Sequence, residues 1–279
     1  MVRQNSVFVY SEAFQTYKFH DRHPFNQKRL LLTLDLIQQM HLIRPEQFIT
    51  PRMATEEELA LILDPRFIEA VRQLDPAEQP IPPALDPEEF GLGTEDVPIF
   101  PGMYKASLLS TGATLTAAEL VMEGKAKHAL NLGGGLHHGL RDKAAGFCIF
   151  NDAAVAIAHL RKTYQARVLY IDTDAHHGDG VQWLFYDDPH VLTVSIHETG
   201  RYLFPGTGDV HERGVGPGLG YSINLPLDAF TEDDSYLEML HQLLPSVVRS
   251  FRPDVIVSQH GCDAHRFDPL THLAVSMRT

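Results

Sequence analysis

The sequence predicts an α/β fold: a mostly parallel sheet with helices on both faces. Three observations carry this reading. Short runs rich in Val and Ile alternate along the chain with longer amphipathic stretches, the order of a parallel sheet with crossover helices. The short runs are mostly apolar, as in strands covered on both faces. Several of them end abruptly in Gly, Asp and His, and α/β proteins place their sites beyond the carboxyl ends of their strands.

In chain order, the expected strands are 6–10, 129–132, 168–172, 191–197, 220–225 and 255–260. The expected helices are 26–40, 56–63, 104–122, 151–164 and 233–251. Thr55 followed by Glu58 forms a capping box that opens the second helix. The stretch 75–102 holds seven prolines, among them Pro80, Pro82 and Pro83, and reads as a long loop because proline lacks the donor that helices and ladders need. The alternation continues past this loop, so a single domain over 1–279 is expected. No internal repeat interrupts it.

The composition narrows the function classes. Twenty-three Lys and Arg against 36 Asp and Glu give a net charge of −13. That balance opposes a nucleic-acid binder, which must neutralise phosphates, and opposes docking on an anionic membrane. No apolar run approaches membrane-spanning length, and residues 1–10 lack a secretory h-region. The two cysteines, Cys148 and Cys262, cannot form a disulfide framework and read as packing residues; a reduced, cytoplasmic setting is expected.

Sixteen histidines are many for 279 residues, and seven of them lie between His137 and His197. Three clusters give them meaning. The first, Asn131-Leu-Gly-Gly-Gly-Leu-His-His-Gly139, follows an expected strand; its glycines permit a sharp turn that delivers His137 and His138. It lacks the Lys-Ser/Thr of a phosphate loop. In the second, strand 168–172 runs into Asp172, Asp174, His176 and Asp179. If extended geometry persisted, Asp172, Asp174 and His176 would point to one side. Carboxylates crowded together repel, and a divalent cation removes the conflict. Carboxylate and imidazole suit Zn²⁺, with Fe²⁺ or Mn²⁺ as alternatives. The third cluster ends strand 255–260 with Asp263. An Asp and a His from the second cluster plus Asp263 would make three protein ligands and leave a position open for water, the pattern of a catalytic zinc site. His137, His138, Asp172 and Asp179 then remain for proton transfer, an inventory that fits metal-assisted amide or ester hydrolysis. Phe147, after Gly146, and Phe204, which opens Phe204-Pro-Gly-Thr-Gly208, suit an apolar channel; taken singly, each reads as core packing.

These clusters, in this order, resemble the zinc-dependent histone deacetylase family, in its bacterial acetoin utilization branch. The resemblance runs over nearly the whole chain. It rests on Gly133-Gly-Gly-Leu-His-His138, Gly146-Phe-Cys-Ile-Phe-Asn-Asp152, Asp172-Thr-Asp-Ala-His-His-Gly-Asp179, Phe204-Pro-Gly-Thr-Gly-Asp209 and Gly261-Cys-Asp-Ala-His265; segment 91–98 resembles the acetoin utilization branch in particular. It implies an arginase-like three-layer fold and removal of acetyl groups from acetyl-lysine by attack of water. It implies Zn²⁺ on Asp174, His176 and Asp263, and proton transfer by His137 and His138 paired with Asp172 and Asp179. Gly146, Phe147 and Phe204 would line the acyl-lysine tunnel, and Asp96 would hold the substrate backbone at the rim. A structural K⁺ would take main-chain oxygens of Asp172, Asp174, His176 and Ile196 with the Ser195 hydroxyl. The implied partner is an acetylated protein, acetyl-CoA synthetase among them.

The family pattern also carries a Tyr beyond the last metal Asp that polarises the scissile carbonyl. The sequence ends at Thr279, 16 residues after Asp263. A C-terminally incomplete domain of weak or no activity is therefore expected. Two other readings follow from the same residues: an acetylpolyamine deacetylase, and a non-catalytic acyl-lysine binder. An arginase-type two-metal hydrolase is disfavoured, because two metals need more carboxylates than the third cluster supplies.

Overall fold

The computed structural model describes residues 4–79 and 84–279, so Pro80, Pro82 and Pro83 of the expected loop, and residues 1–3 of the segment read for a leader, lie outside the described residues. The chain divides into two compact units, 1–159 and 160–279.

The first unit carries a three-stranded parallel sheet. β1 (Gln4–Val9) is central, between β2 (Phe48–Ile49) and β3 (Ala126–Asn131), with Phe8 opposite both Phe48 and Leu130. Its helices are α1 (Lys28–Gln39), α2 (Glu56–Leu59), α3 (Pro65–Leu74) and α4 (Met103–Met122), and α5 (Asp152–Tyr164) starts within it. α4 is apolar on nearly all sides and buried through most of its length, as an interior helix must be. Its first amides are capped from a distance: Asp75, fully buried, accepts from Gly102 N–H at 2.7 Å and Tyr104 N–H at 3.0 Å. The Thr55–Glu58 capping box forms in both directions. Val9, Phe14, Leu30, Leu109 and Ala113 make one core cluster of this unit.

The second unit carries a four-stranded parallel sheet. Its order is β6 (Ser222–Leu227), β5 (Val191–Glu198), β4 (Val168–Asp172), β7 (Val255–Gln259), with α6 (Asp179–Leu184) and α7 (Asp233–Phe251). Leu169, Leu192, Val194, Val247 and Phe251 form one core cluster; Ala175, Ile196, Leu227 and Tyr236 form another. β5 is buried along its whole length, as the apolar pattern predicts. β3 and β7 are not: Leu130 is 47% exposed and Ile256 is 49% exposed. Among the described residues, no helix is long and apolar enough to cross a membrane.

Candidate metal centre and active site

β4 and β7 run side by side, with Asp172 opposite Gln259. The segments leaving their carboxyl ends carry Asp174, His176 and Asp263. Extended geometry stops at Asp172, so the alternation expected through His176 does not place these groups. A relay of side-chain-to-backbone bonds does so instead. Asp172 Oδ1 accepts from Asp174 N–H at 3.1 Å, and Asp174 Oδ1 accepts from His176 N–H at 2.9 Å. Asp263 Oδ1 accepts from Ala175 N–H at 3.0 Å, across 88 residues of chain.

The result is convergence. His176 Nδ1 lies 2.7 Å from Asp263 Oδ2 and 3.2 Å from Asp174 Oδ1, and the three ligand atoms lie within 4.8 Å of one another. Burial alone would pull the His176 imidazole down, but the bonds to Asp174 and Asp263 outweigh it and push its pKa up to about 10. Burial, followed by the charge of Asp174, pushes Asp263 up to about 6. A proton held on Nδ1 between two carboxylates occupies the position of a cation. The donor set fits that cation: one imidazole nitrogen and two carboxylates are ligands suited to Zn²⁺ or Fe²⁺. Gly261 leaves room for it. A Cβ at that position would stand 2.1 Å from Asp174 Oδ2 and 2.5 Å from Asp263 Oδ1.

Asp172 is fully buried and accepts a 2.6 Å bond from Tyr170 O–H. Asp179 is buried at the start of α6. Ser195 is the β5 partner of Asp172; its Oγ accepts from Gly178 N–H at 3.2 Å, and Ile196 follows it, fully buried. Phe204 is 43% exposed, with its ring 6.3 Å from that of His176. The loop after it is tied down where His177 Nδ1 meets Thr207 Oγ1 at 2.8 Å and Glu212 accepts from Gly208 N–H at 3.0 Å. Cys262 is exposed, against the expectation of packing, while Cys148 is buried.

In the first unit, the glycine turn after β3 leaves His137 and His138 buried, with ring centroids 3.9 Å apart. Asn151 and Asp152 hold that turn. Asn151 Nδ2 donates to His137 O at 2.9 Å and Gly139 O at 3.0 Å; Asp152 accepts from Leu136 N–H at 2.7 Å and Gly135 N–H at 3.2 Å. Gly134 is required there, since a Cβ would lie 2.2 Å from Asp152 Oδ2. Gly146 and Phe147 both have positive φ, and Phe147 is held by a 2.8 Å bond from Tyr17 O–H to its carbonyl. Asp96 is exposed on a turn closed by Gly93 N–H to Val97 O at 2.9 Å and Val97 N–H to Thr94 Oγ1 at 3.0 Å.

Sequence reasoning assigned no role to Asn151, Asp152, Tyr170 or Gln259, whose Nε2 donates to Asp174 Oδ2 at 3.2 Å. Three of these had a usable signal. Tyr170 precedes Asp172 by two residues on one strand face, and Asn151-Asp152 closes a quoted motif.

The first unit also holds a second group of potential ligands, Glu58, Glu119 and His159. There Arg52 is already in place: it meets Glu58 at 2.6 and 2.8 Å and Glu119 at 2.6 Å.

Residues 23–279 match the histone deacetylase domain. The Acetoin utilization protein AcuC of Bacillus subtilis (strain 168) is 58% identical over 98% of this chain and 70% of its own length. The protein of the same name from Staphylococcus xylosus is 45% identical, over 71% of its length. The crystal structure of an HDAC homolog from Aquifex aeolicus superposes with a TM-score of 0.90 at 34% identity, covering 97% of this chain and 72% of that one. An HDAC homolog complexed with SAHA gives 0.91 at 34% identity, covering 98% and 72%. The arginase-like α/β class expected from the motifs holds, and the chain belongs to the histone deacetylase family, on the branch of the acetoin utilization proteins.

Proposed function

We propose that this histone deacetylase-family hydrolase removes acetyl groups from lysine side chains of proteins and depends on a bound Zn²⁺, with Fe²⁺ as the alternative ion. One observation carries the reading: Asp174, His176 and Asp263 converge on one point, in the motifs that match the family. These three residues would hold the ion. When bound, it supplies Lewis-acid polarisation of the acetyl carbonyl and lowers the pKa of water.

The chain's own residues supply the rest. His137 and His138 move the protons: one accepts from the attacking water, and one donates to the departing lysine amine. Asp172 and Asp179 are their proposed carboxylate partners. Phe147, Phe204 and Gly146 line the path of the extended acyl-lysine, and the Asp96 carboxylate accepts from the substrate backbone. K⁺ is proposed on main-chain oxygens of Asp172, Asp174, His176 and Ile196 with Ser195 Oγ. The register that sets Asp172 beside Ser195 supports it. The proposed substrate is an acetylated protein in the cytoplasm, with acetyl-CoA synthetase as the first to try.

The test is acetate release from an acetyl-lysine peptide by metal-depleted protein, with and without added Zn²⁺, beside His176→Ala. Zinc-dependent release that the variant lacks supports the reading. Zinc binding and SAHA binding without release would turn it into an acyl-lysine binder. Release from acetylpolyamines alone would move the substrate class.

A further inference from the structure

His23 is a buried histidine of the first unit to which the proposed mechanism gives no role. It is 4% exposed, well buried for a histidine with no carboxylate on its ring nitrogens. Its Nδ1 lies 3.0 Å from Phe25 N and its Nε2 lies 3.2 Å from Asp96 O. A backbone N–H can only donate, so Nδ1 is the acceptor, and the proton of the neutral ring sits on Nε2, where it donates to the Asp96 carbonyl. The faces of the ring are also occupied. Phe147 meets it edge-on with centroids 4.7 Å apart, and Phe19 lies at 4.4 Å.

We infer that His23, in its neutral Nε2–H form, is a positioning residue that joins the Asp96 turn to the Phe147 wall and so sets the affinity for the substrate. This rests on the proposed roles of Asp96 and Phe147. The two residues are 51 positions apart in sequence, and His23 touches both: one through a hydrogen bond to its carbonyl, the other through its ring. The turn presents an exposed carboxylate on a short closed loop, so fixing its backbone fixes the direction of that carboxylate. Protonation would place a second N–H against Phe25 N–H and break the arrangement. Burial favours the neutral ring, holding His23 below the ordinary histidine range. The titratable groups facing it are His20 on its own segment and Asp96 across from it; Glu95 meets it only through its backbone.

The variants His23→Phe and His23→Gln separate the two contacts. Phe keeps a ring against Phe147 and loses the bond to Asp96; Gln restores an N–H donor and cannot titrate. Amide hydrogen exchange over 93–97 should speed up in His23→Phe and return towards wild type in His23→Gln; unchanged exchange overturns the clamp, whatever the protein acts on. For acetyl-lysine peptide, KM should rise about three- to tenfold in His23→Phe with kcat little changed, the scale of one lost neutral hydrogen bond. It should recover in His23→Gln, whose KM should also lack the wild-type rise at acidic pH. Faster exchange with unchanged KM overturns the link to substrate, as does a fall confined to kcat. If wild-type protein releases no acetate, the deacetylase reading fails, and the exchange result alone decides whether His23 holds the turn.

Discussion

Two groups of side chains in this protein have the same composition and different fates. Glu58, Glu119 and His159 gather two carboxylates and an imidazole in the first unit; Asp174, His176 and Asp263 gather the same types in the second. In the first group the guanidinium of Arg52 forks onto Glu58 and reaches Glu119, so a fixed organic cation neutralises the acids. In the second, the carboxylates converge on His176 Nδ1, where a removable proton stands between them. A guanidinium cannot be deprotonated, whereas a proton on imidazole yields to a metal. Ligand types alone do not make a metal site; the identity of the resident cation decides.

The largest test of this contrast is His176→Ala or Asp263→Asn. Either should abolish stoichiometric zinc binding and lower acetate release by at least about a hundredfold, since ligands matter more than the outer-shell partners whose loss costs 10–100-fold. Glu119→Gln should leave the zinc content unchanged; both are read by metal analysis after desalting. Gly261→Ala keeps every ligand and fills the space between them. Zinc affinity should fall by about 10–100-fold, measured by competition with a chelator, with the circular dichroism of the fold retained.

Arg52→Met should do the reverse. It leaves two half-buried carboxylates without their cation and should cost about 1–3 kcal/mol in urea unfolding, reduced from a fully buried case because the Arg52 side chain is 38% exposed. Its zinc content should not change. The smallest effect is a pH slope. With its pKa raised from 6.5 to about 10, His176 holds a proton in the folded metal-free protein that the unfolded chain releases. Its contribution is complete below 6.5 and is lost as pH rises through 10. Metal-free protein should therefore lose stability over that window, and zinc-loaded protein should not. The Arg52 group should be silent there, because hydrogen bonds to Glu58 raise a pKa that already lies above it.

Much of this was legible in the chain. Strand 168–172 appears with the boundaries expected, as does helix 233–251, because each pairs a clear apolar period with clear stops. α3 was missed although Asp64 and Pro65 mark its start and Asp64 Oδ1 accepts from Arg66 N–H at 2.7 Å. β2 has two residues and no pattern to detect. The exposed positions of β3 and β7 escaped because an apolar run does not reveal which faces its neighbours cover. Asp174 and His176 were grouped with Asp172 for a geometric reason that does not hold: beyond Asp172, turns rather than a continued strand aim them.

The sequence by itself determined the α/β alternation, the ligand types and their family pattern, because each is written in local periodicity or in short motifs. Only the tertiary structure decided which acids meet which cations. Asp263 reaches His176 across 87 residues, and Arg52 reaches Glu119 across 67. Pairings of that range follow from strand register and helix packing, which set distances that no short stretch of sequence contains.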